Sequence, residues 1–363
     1  MPPRRSRGDR LRLSGLSSKA LAHFAGHYCA KVSLRGTAKR NLSVVVCCLA
    51  IGLLGACGQT TANEASEVEG LEATSSNAPT EVLVKKAKFP VALVVEPTGA
   101  LLFGERLTGQ IRRVTPAGEL EPEPVATVQT LGSEDDQRGL LGLVLLPDLR
   151  LVASWTRSSD NRLVAGVVFP AAEAQLIWEG PVSADRANGG GLALSAESEV
   201  LIGIGDLLAD PNLAEDETVP NRKILALGPN GLPDQLPKIL STGWNNPFAI
   251  AVAPDGTPWV ADNSAGDNPE RIGRADRPAS EAAALSTDGL TIAPSGLVAL
   301  GSDRFGLCGY VSKQVEELNV REGRAERTGR VLADTCWTSV AALPDGRIVT
   351  ATLDEIRVAV SAT

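Results

Sequence analysis

Histidine is missing from most of this chain. It has two, His23 and His27, both in a basic N-terminal stretch. Beyond them, Ser-His-Asp and Cys-His nucleophile schemes, histidine-built zinc sites and histidine as a general base are excluded. Methionine occurs only as Met1, and Tyr310 is the single tyrosine past residue 28. Any chemistry there must rest on carboxylates, lysine, Tyr310, a metal or a cofactor. Cysteine is scarce as well. Cys29, Cys47, Cys48 and Cys57 sit together near the start, which leaves Cys308 and Cys336. Two thiols in an oxidising compartment suggest one disulfide, worth roughly 3–4 kcal/mol in the chain-entropy model. Two buried free thiols are the alternative. Apolar residues at helical spacing are also rare, and Gly or Pro interrupts the chain about every ten residues, as in an all-β fold.

Charge is unevenly placed. Before position 57 there are ten Lys/Arg and one acidic residue, Asp9; after it come 25 basic and 42 acidic residues, a net of −17. Such a surface repels phosphate backbones, so nucleic acid is not an expected partner. Lys39-Arg40 precedes a 15-residue apolar run, Leu42 to Ala56. The run is short for a membrane span, which needs about 20 residues, and suits the apolar part of an export signal. It ends in Leu54-Gly55-Ala56-Cys57, which looks like a lipobox with Cys57 as the lipidated residue. A plain membrane anchor with an incidental Cys57 is the alternative. Gly58 after the cysteine resembles an outer-membrane sorting pattern, should the cell have two membranes. The basic stretch ahead of Lys39 is longer than a signal needs, so translation is expected to start downstream. These features predict a lipoprotein-type signal over 1–56, a lipidated cysteine and flexible tether over 57–80, and one folded domain over 81–363. The tether is polar and lacks aromatics, too little apolar surface to fold.

One phrase recurs through that domain: an apolar strand, a Pro-Asp-Gly-like turn and a second apolar strand. The copies begin at Ala92, Leu143, Leu192, Ile250, Leu290 and Val340, with turn anchors at Pro97, Pro147, Ala196, Pro254, Pro294 and Pro344. Their spacings of 50, 49, 58, 40 and 50 residues suit blades of four short strands. The chain is therefore predicted to fold as an all-β, six-bladed β-propeller. The sixth copy has room for three strands, near Ser339–Leu343, Arg347–Thr352 and Ile356–Val360. The N-terminal Glu81–Lys86 is expected to supply the fourth, and pairing of the two termini closes the ring without an open edge.

Several phrases are similar to the glucose/sorbosone dehydrogenase family, the soluble quinoprotein sugar dehydrogenases and their non-enzymatic relatives. They are Phe103-Gly-Glu-Arg106 with the strand that follows, Asp136-Gln-Arg-Gly to Asp148, and Asn188-Gly-Gly-Gly-Leu-Ala-Leu. To these are added Ile204-Gly-Asp206, Asn221-Arg-Lys223 and Gly243-Trp-Asn-Asn-Pro to Gly256. The match spans residues 90–275, and the family's fold is also a six-bladed propeller. The resemblance implies pyrroloquinoline quinone (PQQ) and calcium as cofactors if the family's activity survives; otherwise no cofactor is expected. It places Gln137 on the substrate side and Asn245 against the quinone. It puts the metal near Asp262, Ser264, Ala265 and Asp267. The departures fall on the chemistry. Ala187 stands where the family has its histidine base, and Asn245 where it has an arginine to stabilise reduced quinone. Asn263, Ser264 and Ala265 replace the Gly-Pro pair whose carbonyls hold calcium. No catalytic residue is therefore assigned. A neighbouring carboxylate such as Asp185 is a weak base at its ordinary pKa and substitutes only if burial raises it.

Other candidates have structural alternatives. Asp206, Asp210, Glu215, Asp216 and Glu217 make an acidic loop, either a cation site or a solvated face. Asp262, Asp267 and Glu270 pose the same choice. Trp244 and Trp259 either pack in the core or stack on a ligand. Gly189-Gly190-Gly191 precedes a strand, so it reads as close backbone packing rather than a phosphate loop. Three functions follow. The first is a non-catalytic propeller binding a sugar-like small molecule or a protein. The second is a PQQ-dependent sugar dehydrogenase with an unusual base. The third is a metal-dependent, lactonase-like enzyme. In each case the domain is expected to be monomeric, outside the cytoplasm and tethered to the envelope membrane by its lipid.

Overall fold

A computed structural model describes residues 78–359, apart from 234, 236, 265–268 and 286–290. Six four-stranded antiparallel sheets make up the chain as described. β1 (Thr80–Lys85) belongs to the last of them. Blade 1 is β2 (Pro90–Val95), β3 (Leu101–Glu105), β4 (Gln110–Val114) and β5 (Ala126–Thr127). Blade 2 is β6 (Leu140–Leu145), β7 (Leu151–Thr156), β8 (Arg162–Phe169) and β9 (Gln175–Val182). Blade 3 is β10 (Gly189–Leu194), β11 (Val200–Ile204), β12 (Lys223–Leu227) and β13 (Lys238–Thr242). Blade 4 is β14 (Ala249–Val252), β15 (Pro258–Asp262), β16 (Arg271–Arg274) and β17 (Ala283–Ala284). Blade 5 is β18 (Pro294–Ala299), β19 (Arg304–Gly309), β20 (Val315–Arg321) and β21 (Arg324–Ala333). Blade 6 is β22 (Ser339–Ala342), β23 (Ile348–Ala351) and β24 (Glu355–Ala359), with β1 as its fourth strand. The first strand of each blade lines the central channel.

The termini close the ring as the sequence predicts, with β1 antiparallel to β24 from Thr80 opposite Ala359 to Lys85 opposite Glu355. The recurring turn has one hydrogen-bond signature. The N–H of Glu96, Leu146, Ser195, Ala253, Leu300 and Leu343 each donates to the carbonyl four residues on. This corrects the fifth copy. Its turn is Gly301-Ser302-Asp303, whereas Pro294 opens the inner strand β18. Proline has no N–H to give a ladder and is at home at a strand's first residue. The corrected anchor, Gly301, evens the last two spacings to 47 and 43 residues.

The apolar residues lie in layers between blades. Phe103 and Val349 pack between blades 1 and 6, Leu140 and Ile111 between 1 and 2, and Ile202 and Val152 between 2 and 3. Trp244 and Val260 fill the boundary of blades 3 and 4, and Phe305 and Ala261 that of 4 and 5. Each large side chain so buried contributes about 1.5–3 kcal/mol. Close packing explains the triple glycine, since a Cβ on Gly191 would fall 1.8 Å from the Phe248 carbonyl oxygen. Between blades 5 and 6 the seam is covalent: Cys308 and Cys336 form a disulfide with both residues fully buried. Among the described residues no helix is long and apolar enough to cross a membrane.

Candidate functional site

The loops entering the six inner strands meet at one end of the channel. They surround a cavity of about 360 Å³, within the size range of small-molecule sites. Every blade contributes: Phe89 ahead of β2, Gln137 ahead of β6, Asn188 ahead of β10, Asn246 ahead of β14, Ala293 ahead of β18 and Trp337 ahead of β22. The inner strands also line a smaller space of about 90 Å³, with Gly142, Gly191 and Gly296 beside Leu141, Leu143 and Phe248. The far end opens onto the hairpin turns and is lined mainly by aliphatic side chains.

The walls of the mouth differ in chemistry. One is aromatic, where Tyr310 and Trp337 meet edge to face with ring centroids 6.0 Å apart. Phe89 forms another side, and the guanidinium of buried Arg106 lies 3.9 Å over its ring. Arg106 also donates to the carbonyls of Asp136 (2.7 Å) and Arg138 (2.9 Å). Burial is the main influence on this guanidinium and lowers its pKa from the usual value, against the opposing pull of Asp136. Glu134, Asp135 and Asp136 form an acidic lip. Gln137 stands beside them, with its side-chain oxygen accepting the Ala187 N–H at 2.8 Å. Asn188 is fully engaged: its amide spans Ala184 N–H (2.8 Å), Ala184 carbonyl (2.8 Å) and Gln137 carbonyl (3.3 Å). Asn246 Oδ1 accepts the Gly189 N–H at 2.9 Å, joining blade 4 to blade 3.

Asn245 is not part of the lining. Its side-chain amide donates to Asp206 at 2.7 Å, and Arg222 approaches the same carboxylate at 3.5 Å. Asp262 lies beneath and is fully buried. Its oxygens accept from Asn245 N–H (3.0 Å), Asn246 N–H (2.7 Å) and Arg271 Nε (3.0 Å) and NH2 (2.9 Å). A carboxylate offers about four acceptor positions, so these donors fill it. Ser264 follows Asn263, a lining residue. Ala265 and Asp267 lie outside the described residues, as does Cys57. Among the described residues no three His, Cys, Asp or Glu side chains converge as a metal site would need. Of the described residues that the resemblance assigns to a quinone and calcium, Asn245 carries no charge and is held by Asp206, Ala187 offers no proton acceptor, and the Asp262 oxygens are already taken by four donors.

Most of the remaining candidates have structural partners. Asp185 is largely exposed, pairs with Arg138 at 2.7 Å and does not line the cavity. Asp210 caps the 3-10 turn Pro211–Ala214, and Asp216 accepts from Thr218. Behind that loop the buried Lys223 ammonium donates to the carbonyls of Leu213 (2.9 Å) and Asn221 (3.1 Å). Glu270 is buried, and its carboxylate accepts Ile292 and Ala293 N–H, each at 2.7 Å. Trp244 is in the core with its Nε1 on Ser241, and Trp259 packs on Phe305. Sequence reasoning does not single out Phe89, Arg106, Asn188, Asn246 and Trp337 as lining residues. The available signal is position: each belongs to a loop or strand start that faces the channel mouth.

No protein-family model and no curated protein sequence matches the chain. Solved structures do. Aldose sugar dehydrogenase from Streptomyces coelicolor, in its PQQ-bound form, aligns over 77% of this chain and 97% of its own, with 20% identity and a TM-score of 0.61. The soluble aldose sugar dehydrogenase of Escherichia coli aligns over 78% and 99%, with 20% identity and a TM-score of 0.63. The PQQ domain of pyranose dehydrogenase from Coprinopsis cinerea aligns over 77% and 95%, with 13% identity and a TM-score of 0.53. At these identities the likeness is one of fold, the six-bladed propeller that this chain shares with those dehydrogenases.

Proposed function

We propose that the propeller is a non-catalytic module that binds a small, sugar-like ligand at the channel mouth. The carrying observation is a cavity of about 360 Å³ with an aromatic wall and an acidic lip but no proton acceptor at Ala187. Aromatic faces suit the apolar side of a sugar ring, and carboxylates and amides suit its hydroxyls. The reading includes a lipid on Cys57 that holds a monomeric domain over 81–363 on the outer side of a cell membrane, in the outer membrane where the cell has one. The acidic surface makes nucleic acid an unsuitable partner.

A second reading, a PQQ-dependent sugar dehydrogenase, is favoured by the activities of the fold's neighbours. Calorimetric titration of the purified full chain with a panel of aldoses, followed by dye reduction with added PQQ and calcium, separates the two. Saturable aldose binding without turnover is expected. Absence of heat with every aldose refutes the binding reading, and aldose turnover that depends on PQQ and calcium establishes the second. A missing general base alone removes about 10²–10⁴-fold in rate.

A further inference from the structure

Tyr310 and Trp337 form one wall of the mouth, yet they come from different blades. Tyr310 is in the loop after β19 of blade 5, and Trp337 just ahead of β22 of blade 6. Cys308 lies two residues before Tyr310, and Cys336 immediately before Trp337. Their disulfide therefore joins the end of β19 to the loop ahead of β22, close in sequence to both rings. Beyond the disulfide, Cys336 N–H donates to Lys313 carbonyl at 2.9 Å and the exposed Lys313 ammonium lies 4.3 Å from the Trp337 ring centre, while the Tyr310 and Trp337 N–H groups each bond within their own blade, to the carbonyls of Ala293 and Ala351. Around the sulfurs, Val315, Ala333, Val340 and Ile348 pack the same seam, so the blades have an apolar contact of their own.

We propose that the Cys308–Cys336 bond is the positioning element of this wall, so that the mouth binds its ligand more tightly in the oxidised protein. The proposal rests on the mouth being the ligand site. A preformed wall spares the ligand the cost of ordering two large side chains, and without the bond that cost falls on binding. Reduction by a dithiol transfers two electrons and two protons to the cystine, giving two thiols and leaving the dithiol as a disulfide.

The test uses the full chain with 5-fluorotryptophan at its five tryptophans, the Trp337 resonance being assigned with Trp337→Phe. Wild type is compared with Cys308→Ser/Cys336→Ser, and with wild type reduced in urea and refolded in dithiothreitol, by fluorine NMR, and glucose affinity is measured by calorimetry. In the variant and the reduced protein the Trp337 resonance is expected to move toward that of the free amino acid while the other four stay. Glucose affinity is expected to fall on the order of tenfold. A Trp337 resonance that stays put, or an unchanged affinity, overturns the proposal. Should the serine variant unfold, Cys308→Ala/Cys336→Val and the reduced folded protein supply the same comparison. Should oxidised protein take up no glucose, the ligand reading fails, and the positioning role still stands or falls on Trp337.

Discussion

Replacing Asp262 with alanine strikes the joint between the mouth and the body of blade 4. The carboxylate has no exposed surface and receives two backbone N–H groups and both arms of Arg271. Each buried donor left without an acceptor costs about 1–3 kcal/mol. Breaking a buried ion pair from one side costs about 3–5 kcal/mol. The second figure is discounted here, because the Arg271 side chain is 21% exposed and keeps the carbonyls of Gly243 and Ala279. A net loss of about 4 kcal/mol follows, a large share of the roughly 5–15 kcal/mol that holds a domain folded. Equilibrium unfolding in urea measures it, as a lower midpoint at unchanged slope. Asp262→Asn keeps one acceptor oxygen and should lose about half as much. A loss under about 1 kcal/mol for the alanine variant refutes the reasoning. Millimolar calcium should leave the wild-type midpoint in place. A calcium-dependent rise that vanishes in Asp262→Ala would make this carboxylate a metal ligand instead.

Two other outcomes are expected. Burial is the main cause that raises the Glu270 carboxyl above its usual pKa, against the pull of Ile292 and Ala293 N–H. The folded state therefore holds this proton more tightly than the unfolded chain. Its contribution to stability is complete below the unfolded value of about 4.3 and is lost as pH rises through the native value. Between pH 4 and pH 7.5 the stability of Glu270→Gln should thus gain on wild type, and a constant difference in urea midpoints counts against the assignment. Cells fed an alkynyl fatty acid should label the wild-type chain and not Cys57→Ala; equal labelling of both would rule out the lipid at Cys57.

The blade count was legible because its signal is local and repeated. A Pro-Asp-Gly turn between two apolar strands depends on residues adjacent in sequence, and so does its hydrogen bond. The error at Pro294 has the same origin. Ala293-Pro294-Ser295-Gly296 matches the phrase better than Leu300-Gly301-Ser302-Asp303 does, yet the phrase cannot tell a turn from a strand that begins with proline. Closure was legible for a different reason. Blade 6 is one strand short at the C-terminus, and an unpaired sheet edge is costly enough to call for a partner from the other end. Side-chain convergence carries no such local mark. The mouth draws one loop from each blade, so Phe89 and Trp337 become neighbours of one cavity across 248 positions of sequence.

The corner between blades 3 and 4 is held mainly through backbone groups. Neighbouring elements use the backbone of residue 187. Its N–H goes to Gln137, its carbonyl accepts Leu207 N–H, and Gly205 lacks a Cβ that would fall 1.9 Å from its oxygen. Its φ is +54°, a left-handed conformation that histidine and asparagine adopt more readily than most residues. Alanine there bears a backbone cost of about 1 kcal/mol and gains no contact that a larger polar side chain would lack. At Asn245 the contacts are again mostly backbone: its N–H goes to Asp262, and its carbonyl accepts Asp206 N–H. The architecture of the corner therefore depends little on which side chains stand at 187 and 245. A propeller can keep this corner intact whether or not a base and a cation are present, so likeness of fold to sugar dehydrogenases does not decide activity.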